Sequence, residues 1–141
     1  MANETDWTVL ELHAKVKTIL VVEDDRSIAS FIVEAIKQET SYQAFFAFDG
    51  YQALKIIHNL KPDFLLLDYS LPSMNGLELY DHIHAMKELE HIPALLISAD
   101  PPLEEAKKRN IMCLQKPIEL ADLLQAIESS LRAHEMLTQE R

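Results

Sequence analysis

Residues Asp63 to Gly76 read DFLLLDYSLPSMNG: four apolar residues, Phe64 to Leu67, run straight into the carboxylate of Asp68. An apolar run without alternation suits a strand covered on both faces, the kind found in parallel sheets. A carboxylate at the end of such a strand is costly to bury unless it is paired, hydrogen-bonded or holding a metal. The LPSMNG that follows is a loop, dense in turn formers. Fold and chemistry both turn on what surrounds Asp68.

Working outward, the same kind of run recurs. Thr18 to Val22 is a first strand, Ala44 to Phe48 a second, Asp63 to Leu67 the third, Pro93 to Ile97 a fourth and Ile111 to Leu114 a fifth. Between them apolar residues recur at helical spacing. Ile28, Phe31, Ile32, Ala35 and Ile36 follow Ser27; Ala53, Leu54, Ile57 and Leu60 stop near Asn59 and Pro62. Leu77, Tyr80, Ile83 and Met86 stripe a third helix, and Leu103 to Arg109 is a charged helix of about two turns. Leu120, Leu124, Ile127 and Leu131 give a long last helix that runs toward or past His134. Asp49-Gly50 reads as a turn after the second strand.

Five alternations of strand and helix predict an α/β fold: a five-stranded, doubly wound parallel sheet with helices on both faces. Its expected order is 2-1-3-4-5, with a ligand crevice at the carboxyl ends of strands 1 and 3. Asp68 ends strand 3 and Glu23-Asp24-Asp25 ends strand 1, so the two acidic groups are expected to meet there.

The bulk numbers narrow the function. At 141 residues the chain is long enough for one domain with a proper core. Thirteen basic against 23 acidic residues give a net charge of −10, which argues against direct nucleic-acid or anionic-membrane binding. One cysteine, Cys113, excludes an internal disulfide and suits a reducing compartment. No apolar stretch approaches the roughly 18 residues of a membrane span. The MANETDWTVLELHAKV start is mixed and acidic, unlike a signal peptide. The expectation is a soluble, cytoplasmic protein.

Carboxylates gathered in one crevice repel unless a cation joins them. Their oxygens in a partly wet crevice suit Mg²⁺, or Mn²⁺ with the same preference for oxygen. Strand 4 ends at Ser98, a hydroxyl, and strand 5 ends at Gln115-Lys116-Pro117, an ammonium. Carboxylates, metal, hydroxyl and ammonium around one Asp suit an anion with several oxygens, such as a phosphoryl group on Asp68. Taken singly, adjacent Asp residues are as often helix caps, Ser98 more often starts a turn, and Lys116 is more often a solvated charge. His82 and His84, two apart on a helix, do not share a face, so no histidine metal site is expected.

At these residues the sequence resembles the receiver domains of two-component response regulators. ILVVEDD (19–25), FLLLDYSLPSMNG (64–76), LLISA (95–99) and LQKPI (114–118) occur in the family's order, and the match covers about residues 17 to 133. The resemblance implies that Asp68 is the phosphoacceptor and that Asp24 binds Mg²⁺ directly, Glu23 through water, with the backbone carbonyl of Ser70 as a further ligand. It implies that Ser98 moves to the phosphoryl oxygens, that Lys116 pairs with them, and that Lys116-Pro117 is cis. The donor would be a phosphohistidine on a histidine kinase or phosphotransfer protein. A downstream protein or linked output domain would read the result. Such a chain is a phosphoacceptor signalling domain rather than an enzyme.

Three departures concern output. Ser98 and Lys116 are 18 positions apart (116 − 98), about four fewer than is usual, roughly one helical turn, so helix 4 or the loop before it is shortened. Cys113 stands where the family carries Tyr or Phe, removing the aromatic switch; a small buried hydrophobe is its commoner role. Arg109-Asn110 replaces the customary Gly-Ala. The alternative is therefore a pseudo-receiver, a protein-interaction module with this fold and no phosphorylation. A haloacid-dehalogenase-type phosphatase fits less well, since its second Asp would fall at Ser70. A flavin-binding relative is disfavoured by the acidic loop 23–25, which would repel a phosphate. Residues 1–16 read as an N-terminal extension in which Trp7, Val9 and Leu10 are candidates to dock on the domain. Residues 17–133 form the domain itself, and 134–141 read as a helical extension or linker start.

Overall fold

The computed structural model describes residues 16–139. Of the expected extension, residues 1–16, all but residue 16 lies outside them, Trp7, Val9 and Leu10 included, as do residues 140 and 141. Within them the elements run β1 (Thr18–Val22), α1 (Arg26–Glu39), β2 (Gln43–Ala47), α2 (Gly50–Asn59) and β3 (Phe64–Asp68). There follow α3 (Gly76–His84), a 3₁₀ turn (Lys87–Leu89), β4 (Ala94–Ser98), α4 (Leu103–Lys108), β5 (Met112–Gln115) and α5 (Leu120–Gln139). The strands pair in parallel in the order β2-β1-β3-β4-β5, as the alternation implies.

The pleat sorts the strand residues into two cores. Leu20, Val22, Leu65, Leu67 and Leu96 face α2, α3 and α4, where Ala53, Ile57, Leu79 and Ile83 meet them. Ile19, Val21, Phe64, Leu66 and Ile97 face α1 and α5, against Ile32, Val33, Ile36, Leu123 and Ile127. The four apolar residues of β3 are at most 1% exposed. At about 2 kcal/mol each, their burial offsets the several kcal/mol needed to hold Asp68 inside.

Several expectations shift in detail. On α1 the buried face is Ala29, Ile32, Val33, Ala35 and Ile36, while Ile28 and Phe31 stand 40% and 62% exposed. On α5 the buried face is Leu123, Ala126, Ile127 and Leu131; Leu124 is partly buried and Leu120 lies at the first turn. A helix one residue out of phase still satisfies the apolar spacing, because each of these stripes is wider than one row. Asp49-Gly50 is not a free turn: Asp49 Oδ1 accepts the N–H of Gln52 and caps α2, whose first residue is Gly50.

Helix α4 has six residues, the shortening expected from the Ser98–Lys116 spacing. Asn110 takes φ 56° just after it, and the N–H of Ile111 bonds the carbonyl of Ala106 at 3.0 Å. Asn tolerates this left-handed cap, which is how the pair Arg109-Asn110 ends the helix. Arg109 then ties α4 to α3, its Nε and Nη2 each 2.8 Å from an oxygen of Asp81. The pairing holds the Asp81 carboxyl below its ordinary pKa, with the Arg109 hydrogen bonds as the main cause. Because the pair is half in solvent, Arg109→Ala costs about 1 kcal/mol, lowering Tm by about 3 °C in thermal denaturation.

Candidate functional site

Parallel register brings four strand ends to one rim. Val22 pairs with Leu67, Asp68 with Ile97, and Ser98 with Gln115. The next residues, Glu23 and Lys116, extend the same rungs: Glu23 N–H bonds the Ala47 carbonyl at 3.0 Å and Lys116 N–H bonds the Ser98 carbonyl at 2.9 Å. Glu23, Asp24, Asp68, Ser98 and Lys116 thus gather at this rim, whereas Cys113 pairs with Leu96 further back along the sheet. Asp25 turns away to cap α1, its Oδ1 accepting from the N–H groups of Ser27 and Ile28.

One carboxylate oxygen from each of Glu23, Asp24 and Asp68 lies within 4.8 Å of the others. Glu23 and Asp68 are each 3% exposed, whereas Asp24 is open to solvent. The ammonium of Lys116 reaches both buried acids, 3.3 Å from Asp68 Oδ1 and 3.4 Å from Glu23 Oε1. Asp68 Oδ1 also faces the Ser70 N–H at 3.3 Å, and Glu23 Oε2 accepts from the Asp25 N–H at 3.2 Å. The Lys116–Pro117 peptide is cis.

Burial and charge pull against each other in the pocket. Burial pushes the Glu23 carboxyl well above the ordinary carboxylate range, and a hydrogen bond shared with Asp68 adds to the shift. Burial works against the Lys116 ammonium, but Asp68 and Glu23 override it and hold its pKa up. One ammonium does not neutralise three carboxylates, and one of the three faces open solvent. The donor set is all oxygen, small and partly hydrated, which fits a hard divalent cation.

Ser98 is 4% exposed, and its Oγ accepts the Asp100 N–H at 3.1 Å, so it also makes the local turn that its position in SADPP suggested. Cys113 is half-buried against the α2–α3–α4 core, and burial pushes its thiol pKa up, as befits a small hydrophobe. Gly76 escaped the sequence reading. It begins α3 behind the Asn75–Glu78 capping box, and a Cβ there would lie 2.5 Å from the carbonyl oxygen of Asp68. Its signal was present as Asn75-Gly76, read only as loop.

The comparisons agree with this geometry. The family model described as the response regulator receiver domain matches residues 19–128. The sensor histidine kinase TmoS of Ectopseudomonas mendocina is 35% identical over 83 residues, 59% of this chain, and that stretch is 8% of the kinase. A CheY-like receiver domain protein from Methanospirillum hungatei superposes with TM-score 0.78 at 26% identity, covering 86% of this chain and 98% of that one. NtrX from Brucella abortus gives TM-score 0.78 at 26% identity over 88% of this chain and 29% of its own. With the strand order, the acidic rim and 110 contiguous residues (19 to 128) matched to the family model, the chain belongs to the response regulator receiver domain family.

Proposed function

We propose that Asp68 accepts a phosphoryl group from a phosphohistidine on a histidine kinase or phosphotransfer protein. The observation that carries this reading is the convergence of Lys116, 3.3 Å from Asp68 Oδ1, with the acidic trio at one rim. An Asp68 oxygen attacks phosphorus, the P–N bond to the donor imidazole breaks, and the imidazole leaves with the electron pair. Lys116 places positive charge where the phosphoryl oxygens arrive, and the buried wall of β3 fixes the nucleophile. Ser98 is one rung away and gives up its turn bond to Asp100 when it turns to the phosphoryl group. Glu23, Asp24, Asp68 and the carbonyl of Ser70 would hold Mg²⁺ or Mn²⁺, which supplies further charge neutralisation when bound. Water later cleaves the acyl phosphate, returning the carboxylate and inorganic phosphate.

Ile28 and Phe31 gain a role here. They face outward from α1, which starts two residues after Asp24, and offer the donor protein an apolar surface beside the pocket. A downstream protein or a linked output domain reads the phosphorylated state, and the net charge of −10 keeps nucleic acid out of direct contact.

Labelling by acetyl phosphate, titrated with Mg²⁺, tests the proposal. One phosphoryl group per chain is the expected result; no metal-dependent adduct would favour the interaction module instead. Asp24→Ala removes the one solvent-exposed carboxylate of the trio, and the Mg²⁺ concentration for half-maximal labelling should rise about tenfold or more. An unchanged requirement would refute Asp24 as a ligand.

A further inference from the structure

Strand β2 is an edge of the sheet, and its sequence, QAFFA, carries neither a charge nor a proline. Edge strands ordinarily carry one or the other, which keeps them from pairing with another chain. Phe45 and Phe46 stand 44% and 38% exposed, one on each face of the strand. Phe45 pairs with Leu20, which faces α2, and Phe46 pairs with Val21, which faces α1. The two rings floor a groove of about 530 Å³ along this edge. Val33 and Lys37 of α1 make one wall, and Ile56 and Leu60 at the end of α2 make the other. Among the described residues no carboxylate lines it, in a chain whose net charge is −10.

The backbone of this edge is more specific than its side chains. The Gln43 N–H bonds the Lys17 carbonyl at 2.9 Å, and the Ala47 carbonyl accepts the Glu23 N–H at 3.0 Å. Gln43, Phe45 and Ala47 therefore turn their polar groups toward β1, and Tyr42, Ala44, Phe46 and Phe48 turn theirs outward. Two of these outer positions are already taken. Tyr42 N–H donates to Thr40 Oγ1 at 3.0 Å, and Phe48 N–H donates to Gln52 Oε1 at 2.6 Å. On this edge only the N–H groups of Ala44 and Phe46 have no acceptor among the described residues.

We propose that the β2 edge pairs with the β2 edge of a second copy of this chain, antiparallel about a two-fold axis at Phe45. A two-fold contact needs a surface that matches itself. In this register Ala44 of each copy lies opposite Phe46 of the other, and each such pair exchanges two hydrogen bonds, which takes up both open N–H groups of each copy. Other symmetric registers set Tyr42 or Phe48 in a facing pair, and their N–H groups are occupied. The side chains fit the same register. Small Ala44 sits beside large Phe46 on the α1 face, and the two Phe45 rings meet at the axis on the α2 face, in the closer, non-hydrogen-bonded kind of pair. Charge fits it too. Glu34 and Lys37 are exposed on α1, and neither has an ion-pair partner among the described residues. The axis runs the two α1 helices antiparallel and brings Glu34 of each copy toward Lys37 of the other. Two half-exposed phenylalanines and one strand edge fall short of the roughly 800 Å² that a standard interface buries on each partner, so monomer and pair exchange. None of these residues takes part in the chemistry at Asp68, and the pairing stands apart from phosphoryl transfer.

Sedimentation velocity of the full chain tests the pairing. Between about 1 μM and 1 mM the weight-average mass should rise from that of one chain toward that of two. In amide exchange followed by NMR, the Ala44 and Phe46 N–H groups should slow over the same range, while that of Phe45, which faces β1, stays constant. Phe45→Lys, at an exposed position, sets two ammonium groups against each other at the axis and should raise the dissociation constant about tenfold or more, with native circular dichroism. Lys37→Glu, on the outer face of α1, gives a second check that does not touch the sheet. Alone it should weaken the pair several-fold, and Glu34→Lys in the same chain should restore it. A single-chain mass at every concentration would overturn the proposal; slow exchange of Ala44 and Phe46 in that monomer would then place a segment of the same chain on the edge. A pair that ignores both Phe45→Lys and Lys37→Glu has its interface elsewhere, which overturns the proposal equally.

Discussion

Asp68→Asn should leave the chain folded and unable to take up a phosphoryl group, with labelling by acetyl phosphate at background whatever the Mg²⁺ concentration. The amide has the shape of the carboxyl but no nucleophilic oxygen of comparable strength. It also removes one of two buried acids that share a pocket with Lys116, so repulsion with Glu23 falls while one ion pair is lost. These changes oppose each other, and Tm should move by only a few degrees. Intact-mass measurement gives the labelling and circular dichroism gives the fold. Retained labelling at full rate would mean that another residue is the acceptor. Loss of the fold would make Asp68 a structural residue rather than a reactive one.

Gly76→Ala is expected to do the reverse, damaging the frame while leaving every reactive group in place. The added methyl would sit 2.5 Å from the backbone oxygen of Asp68, 2.9 Å from a methyl of Leu96 and 3.1 Å from the Asp68 carbonyl carbon. Backbone on one side and a packed leucine on the other cannot both yield cheaply. Overpacking of this kind costs roughly 1–3 kcal/mol. Ala is worth under about 1 kcal/mol over Gly at the first turn of a helix, so it recovers only part. A net loss of about 2 kcal/mol would lower Tm by about 7 °C. The labelling rate should fall as well, because the clash pushes on the peptide that carries the nucleophile. An unchanged Tm together with an unchanged rate would show that α3 need not approach β3 so closely.

The two variants divide what could be read in the sequence from what could not. The order of elements was legible because Thr18–Val22, Phe64–Leu67 and Ala94–Ile97 are apolar without alternation, and only a sheet covered on both faces uses such strands. From that order the meeting of Asp68 with Glu23, Asp24, Ser98 and Lys116 follows by topology alone. Facing was harder. Ile28 and Phe31 fit the apolar spacing of α1 yet point outward, since periodicity marks a stripe and not its edge. The triplet Glu23-Asp24-Asp25 looked uniform, but helix capping claims Asp25 and the end of β1 buries Glu23. Gly76 could not be weighed from sequence, because its role lies in a contact with Asp68 eight positions earlier. Ser98 makes the turn that its position suggested and stands one rung from Asp68.

The most direct measurement is chemical mapping of the acceptor. The full chain is incubated with acetyl phosphate and Mg²⁺, reduced with borohydride, digested and sequenced by mass spectrometry. Borohydride converts an aspartyl phosphate to homoserine and leaves free carboxylates alone. Homoserine at position 68, dependent on both donor and metal, is the predicted result. Homoserine at Asp24 or any other aspartate but 68, the 5-hydroxynorvaline that a glutamyl phosphate would leave at Glu23, or no reduced residue at all in a chain shown to be folded, would contradict the account.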